Sequence, residues 1–212
     1  MFNLSKKIAF TLAEILIVMA VIGIVAALTI PNLKDNSDLQ VNAAKSKKVF
    51  IELSSALDRF TLKSHAKPAD WTSPFAISGI NNNSKIKGTG TDYWYDISST
   101  CASNATGLDD GSTYCVIPYA SSTDCLDVLF DIDGPKKGFN ETGYDVFQAS
   151  IRIPSTADSP EMVAWSCSDS GTFTTTTQPS ATNYLNWVML YDNLDYRKCA
   201  DVLTYQGVTS CN

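Results

Sequence analysis

Within the run Phe10 to Ile30 (FTLAEILIVMAVIGIVAALTI) one residue is charged, Glu14. Holding a carboxylate in an apolar helix costs roughly 2.5–3.5 kcal/mol on insertion scales. An acid kept at that cost is functional by default and calls for a cationic partner. A second set of oxygen-bearing residues stands at Asp131, Asp133, Asn140 and Asp145. Carboxylates one residue apart, joined by further oxygen ligands, suit a hard cation such as Ca2+. The spacing is not that of an EF-hand, because Pro135 and Thr142 stand where ligands are required, and Asp and Gly serve tight turns equally well. Six cysteines at 101, 115, 125, 167, 199 and 211 include no CxxC pair, and His65 is the single histidine. Neither a zinc site nor a histidine-based catalytic centre is expected from that inventory. No nucleophile–base motif and no phosphate loop is found.

The apolar run is the element that must position Glu14. As a helix rising about 1.5 Å per residue it spans roughly 30 Å, the thickness of a bilayer core. Before it, MFNLSKKIA holds Lys6 and Lys7 and no acid. Basic residues ahead of an apolar helix keep that end in the cytoplasm, so the rest of the chain is expected on the far side. Three readings compete. One is a secretory signal peptide, with Val25 and Ala27 as the small residues of a cut before Leu28. Another is an uncleaved anchor. The third is a segment whose basic leader is removed while its helix stays. Glu14 argues against the first two, which gain nothing from a charge in the membrane.

The stretch Lys6-Lys7-Ile8-Ala9-Phe10-Thr11-Leu12-Ala13-Glu14 resembles the leader and cleavage motif of type IV prepilins and type II secretion pseudopilins. The resemblance covers residues 5 to 31. It implies that a prepilin peptidase cuts between Ala9 and Phe10 and that the new Phe10 amine is N-methylated. It implies too that Glu14 takes the family's fifth mature position, and that Gly23 and Pro31 are the glycine and proline at which the helix loosens and bends. Ala9 stands where the family usually has Gly. The electrostatics agree, since the cut creates a cationic amine inside an apolar bundle. Glu14 of a neighbouring subunit is its counter-charge, in a pair that sets axial register more than it adds stability.

The chain divides into a leader (1–9), a hydrophobic transmembrane and filament-core helix (10–31), an amphipathic continuation (32–67) and a globular β-rich head (68–212). Pro31 is expected to kink or end the helix, with residues 32–38 hosting a bend. Beyond it Val41, Ala44, Phe50, Leu53, Leu57 and Phe60 recur at helical spacing toward His65, which reads as an ordinary helix-end residue before Pro68. The head reads mainly as strand and turn. Strand signals lie at Tyr93–Ile97, at Leu126–Ile132 and at Asp145–Ile153, the last with Phe147, Ala149, Ile151 and Ile153 on one face; Tyr184–Leu190 is a further apolar run. Loops are expected at 81–90, 102–112 and in the Thr-rich stretch 171–182. The fold class is α+β: a long N-terminal helix packed against an antiparallel sheet, closed by disulfides, an arrangement the resemblance names type IV pilin-like.

All six cysteines fall in the exported portion, where disulfides form. Of fifteen connectivities, short loops favour Cys101–Cys115 and Cys199–Cys211, which leaves Cys125–Cys167; free buried thiols are the alternative. The last loop also resembles the disulfide-closed C-terminal region of pilins, following Asn193-Leu194-Asp195-Tyr196. The stretch from Asp131 to Asp145 resembles an Asp/Asn-Gly loop set between two strands in pilin-like proteins.

The chain has 212 residues, 44% hydrophobic and 18% charged, with a net charge of −6. It is too apolar for wholesale disorder. An acidic chain is a poor electrostatic partner for phosphates, so no direct contact with nucleic acid is expected. The resemblance implies a structural subunit of a type IV pilus or type II secretion pseudopilus, with no enzyme activity and no cofactor beyond the candidate Ca2+. Its implied partners are the membrane, the prepilin peptidase and other pilin or pseudopilin subunits. The precursor would sit in the inner membrane with its head outside the cytoplasm, then join a filament in the periplasm or at the cell surface. Two alternatives stand beside it. One is a filament-tip adhesin or substrate-binding minor pilin presenting Trp71, Trp94, Trp165 or Trp187. The other is a Sec-secreted Cys-rich binding domain or enzyme.

Overall fold

The computed structural model describes residues 11–64, 86–89, 101, 105–118, 124–135, 137–138, 140–152 and 159–211. It divides into two compact units, Met1–Asp38 and Leu39–Asn212. Helix α1 runs from Leu12 to Ser64. The helical backbone therefore does not end at Pro31, and 32–38 is no break in it. The proline ring removes the hydrogen that the Ala27 carbonyl would otherwise accept. Nearby, Thr29 Oγ1 donates to the Val25 carbonyl at 2.9 Å, a local side-chain bond of the kind that often bends helices. In the first unit the segment Leu12–Ile30 is long and apolar enough to cross a membrane, and none of it is buried within the chain.

The second unit is an α+β fold. Six strands, β1 (Ile86–Thr89), β2 (Thr106–Leu108), β3 (Thr113–Pro118), β4 (Cys125–Asp131), β5 (Val146–Arg152) and β6 (Glu161–Val163), form one antiparallel sheet in chain order. β4 and β5 form where the alternation predicts, and they pair in full register from Cys125–Arg152 to Asp131–Val146. β1 and β2 lie in stretches read as loops. Tyr184–Tyr191 is a helix, α2, and Tyr196–Cys199 a short second one, α3. The run YLNWVMLY buries Leu185, Asn186, Trp187 and Val188 in succession, so it carries no one-sided helical stripe to read. Tyr93–Ile97, His65, Trp71 and Trp94 lie outside the described residues.

One face of the sheet carries Tyr114, Val116, Leu126, Val128, Phe130, Phe147, Ala149 and Ile151, all buried. They share a core with Ala43, Val49, Leu53, Ala56 and Leu57 of α1 and with Leu185, Trp187 and Val188 of α2. Leu53, Leu57 and Phe60 of the expected stripe are buried and Phe50 packs against the core, so the stripe holds there and fails only at its start. Val41 and Ala44 face solvent, while Ala43, Ser46 and Ala56 are buried. The seam is tight: the space among Leu53, Tyr114, Val116, Val128, Ile151 and Met162 is about 10 Å³, at the lower limit for one water. Two α1 lysines tie the same helix to the head, Lys47 to Asp192 at 2.8 Å and Lys48 to Asp110 at 2.6 Å.

The opposite face carries a smaller cluster of Cys101, Ala105 and Cys115, with Ile117 and Leu129 against it. The cysteines join as Cys101–Cys115, Cys125–Cys167 and Cys199–Cys211, the set that loop length favours. Trp187 is fully buried and Trp165 half-buried; neither is a bare aromatic platform.

The packing predicts opposite responses from two apolar residues of one helix. Leu57→Ala should lower unfolding free energy by about 2–5 kcal/mol, whereas Ile51→Ala, at 57% exposure, should stay within about 0.5 kcal/mol. Denaturant midpoints in detergent read both, and equal losses would contradict this choice of buried helix face.

Candidate functional site

Thr11 and Glu14 close the start of α1 on themselves. Glu14 Oε2 accepts from the Thr11 backbone N–H at 2.8 Å and from Thr11 Oγ1 at 2.9 Å, while Glu14 N–H donates back to Thr11 Oγ1 at 3.3 Å. This is a reciprocal capping box, and it satisfies donors that the helix ladder cannot reach. Sequence reasoning assigns a role to Glu14 and none to Thr11, although the T-x-x-E spacing is an available signal. Among the described residues Oε1 of Glu14 has no partner. Gly23 sits in open space, where an added Cβ would meet nothing within 4 Å. No packing among the described residues therefore explains a glycine there, where it weakens a helix by about 0.5–1 kcal/mol relative to Ala. Ala9 and Phe10 lie outside the described residues.

The second site is the connection from β4 to β5. Asp131, fully buried at the end of β4, accepts at Oδ1 from the backbone N–H of Asp133 at 3.0 Å and of Gly134 at 2.9 Å. Asp145, just before β5, accepts from Asn140 N–H at 2.9 Å and from Glu141 N–H at 2.5 Å. The two carboxylates thus fold the loop by taking its amide hydrogens. Gly138, at φ 67°, is required on two counts: its backbone is left-handed, and a Cβ would overlap the Asp145 carboxylate and crowd that of Asp133.

Three buried oxygens in this loop have no hydrogen-bond partner among the described residues: Asp131 Oδ2, Asp133 Oδ1 and Asn140 Oδ1. Burial pushes the Asp131 carboxyl up to about 7, the neighbouring Asp133 carboxylate adding to a rise that the Asp133 and Gly134 amides oppose. The structure therefore leaves three of the four expected oxygen ligands in want of a proton or a cation. It commits Asp145 to the backbone instead. Among the described residues no group of three or more His, Cys, Asp or Glu forms a metal cage, so the set is two carboxylates and an amide oxygen. Asp133 also lines a cleft of about 140 Å³ with Lys45, Lys48, Val49, Asp110, Ile132 and Lys137, where ammonium groups oppose the entry of a divalent cation.

Three helices brace the loop, and of the bracing residues sequence reasoning quotes Tyr196, in Asn193-Leu194-Asp195-Tyr196, but not Asn42 or Arg197. Asn42 of α1 donates to the Tyr144 carbonyl at 3.2 Å. Tyr196 of α3, stacked on Tyr184 of α2 at 4.2 Å, donates to the Gly143 carbonyl at 2.8 Å. Arg197 grips Glu141 through both guanidinium nitrogens at 2.5 and 2.8 Å and lies 5.1 Å from the Tyr144 ring. That ion pair holds Glu141 below the usual carboxylate range and raises Arg197. Asp195, one residue before α3, accepts from Cys211 N–H at 3.0 Å and so ties the disulfide-closed C-terminal segment to the same helix. The contacts made onto the loop itself, by Asn42, Tyr196 and Arg197, cross from 53 to 102 residues of sequence, and no local pattern carries such a signal.

No family model matches the chain, and no solved structure matches it. Over 64 residues it is 36% identical to the type II secretion system core protein G of Escherichia coli (strain K12), a stretch that is 30% of this chain and 43% of that relative. The chain thus spans less than half the length of the curated relative it matches.

Asp131 predicts a pH signature. Its folded pKa, raised to about 7, exceeds the value near 4 in an unfolded chain. Its contribution to stability is full below about pH 4, is lost as pH rises toward 7, and stays lost above. Asp131→Asn should therefore gain stability relative to wild type across that window in metal-free buffer. Denaturant midpoints from pH 4 to 8 with a chelator check this; a constant difference would contradict it.

Proposed function

We propose that the chain is a structural subunit of a type II secretion pseudopilus or a type IV pilus, made as an inner-membrane precursor and assembled through α1. The carrying observation is Leu12–Ile30, a membrane-length apolar helix with none of it buried among the described residues, with Glu14 in its first turn. Such a surface needs lipid before assembly and other helices after it. Gly23, which has no packing role among the described residues, is where another helix can approach closely, since small residues line such contacts. The 36% identity to a type II secretion core protein supports the pseudopilus over the pilus.

In this reading the prepilin peptidase cuts between Ala9 and Phe10, and the Phe10 amine is methylated. Oε2 of Glu14 stays on Thr11 while Oε1 takes the Phe10 amine of a neighbouring subunit. The pair offsets two charges that are each costly alone in an apolar bundle. Gly23 and Pro31 are the points where the helix gives as subunits settle. The chain acts by assembly, not by catalysis, with its head outside the cytoplasm.

We propose further that the β4–β5 loop takes Ca2+. Asp131, Asp133 and Asn140 would hold it, and the ion would replace the proton Asp131 otherwise shares. Asp145 keeps its structural role.

Peptide mass spectrometry on protein from its native membrane tests the main reading. The expected first residue is N-methylated Phe10, and a start at Leu28 or an intact Met1 would sink the proposal. Glu14→Ala should insert in the membrane yet cross-link poorly to other subunits. For the loop, Ca2+ at a hundred times its Kd should stabilise the wild type by about 2.7 kcal/mol, with no gain in Asp133→Asn. An unmoved melting curve in the wild type would remove the cation.

A further inference from the structure

Lys45 and Lys48 stand one turn apart on α1 and line a single cleft with Lys137 of the β4–β5 loop. Asp110 of the β2–β3 turn, Asp133, Val49 and Ile132 complete the lining of a space of about 140 Å³. That is roughly ten times what one water needs. Ammonium groups gathered in this way repel one another, and they gather in a chain whose net charge is −6. Val49 and Ile132 are both buried, so part of the wall is apolar. A low-dielectric wall behind charges of one sign focuses their field and concentrates the opposite sign.

The acids of the cleft leave this charge largely uncancelled. Asp110 is already committed: Oδ2 takes Lys48 Nζ at 2.6 Å, and Oδ1 takes the Ser112 hydroxyl at 2.6 Å and the Ser112 N–H at 3.1 Å. Asp133 turns its carboxylate under the loop. Its oxygens lie 3.1 and 3.2 Å from where a Gly138 Cβ would stand, and Oδ1 is buried. Lys45 and Lys137 are exposed, and among the described residues neither makes an ion pair. Lys47, between Lys45 and Lys48 in the chain, is instead tied to Asp192 at 2.8 Å.

We propose that this cleft binds a phosphoryl group, as inorganic phosphate or a small phosphate monoester, held by the ammonium groups of Lys45, Lys48 and Lys137. The donor chemistry selects the ligand. Among the described residues no arginine lines the cleft, so the planar fork that matches a carboxylate is missing. An ammonium is a compact point charge on a flexible stem. A tetrahedral phosphoryl group carries about two negative charges and three acceptor oxygens, enough to give each lysine its own. Lys48 keeps Asp110 and turns another of its three hydrogens to the ligand. The volume leaves room beside the phosphoryl group for a small ester substituent. The inference rests neither on entry into a filament nor on Ca2+ in the loop.

The test is calorimetric titration of the full chain, in nonionic detergent and metal-free buffer at low ionic strength, with inorganic phosphate and glycerol 1-phosphate as probes. Saturable one-to-one binding is expected. Lys45→Gln and Lys137→Gln should each weaken it about tenfold or more, the loss of one charge-assisted hydrogen bond. Lys47→Gln removes the same charge from the same helix and should leave the affinity unchanged. All three variants should melt as the wild type does without phosphate, since exposed charges contribute little to stability. Equal weakening in the three variants would reduce the effect to net charge and overturn the cleft, as would the lack of saturable binding by either probe at tens of millimolar. Tighter binding of glycerol 1-phosphate assigns an esterified ligand and tighter binding of inorganic phosphate a free one; either upholds the site.

Discussion

The contact between α1 residues 43–60 and the apolar face of the sheet organises the Leu39–Asn212 unit. β3, β4 and β5 point Tyr114, Val116, Val128, Phe130, Phe147, Ala149 and Ile151 the same way, and a sheet with one apolar face needs a cover. On the α1 side Ala43, Val49, Leu53, Ala56 and Leu57 join the core beneath that face. Once the helix is seated, Lys47 and Lys48 reach acids at opposite parts of the head, one after α2 and one in the β2–β3 turn. As exposed pairs these add little energy; they orient a helix that burial has already placed.

Carboxylates do the local shaping, and at both sites they do it by accepting amide hydrogens. Glu14 closes the start of α1 with Thr11. Asp131 and Asp145 fold the β4–β5 loop around Gly138. The difference lies in what remains. Among the described residues Glu14 keeps one oxygen without a partner at an exposed helix end. Among the same residues the loop keeps three such oxygens in the interior, where an unpartnered group is far more expensive.

Legibility in the sequence tracks locality. Glu14 stands out because a single charge breaks a long apolar run. β4 and β5 are legible because their alternation is regular, and the cysteine pairs because two of them close short loops. α2 is not, since a helix buried on several sides reads as a plain apolar run. The α1 stripe is legible at Leu53, Leu57 and Phe60 but misread at its start, because Ala43 and Ser46 carry too little hydrophobicity to mark the face they occupy, while Val41 is apolar and exposed. The braces Asn42, Tyr196 and Arg197 are out of reach, because their partners are fixed only when the whole head has formed.

Strand order equal to chain order bears on how the head is built. Each strand pairs with the one just before it, so a chain delivered from its N-terminus can add strands one at a time, with no early strand left waiting for a distant partner. α1 precedes every strand, so the apolar cover is already present when β3 arrives, and each added strand lays its inner face on a waiting helix. The edge at which the sheet grows, the usual hazard of growing sheets, is at any moment the newest strand. The last segments to arrive, α2, α3 and the Cys199–Cys211 loop, then close over the β4–β5 connection, so completion of the head is marked by its C-terminus locking onto a loop formed midway through.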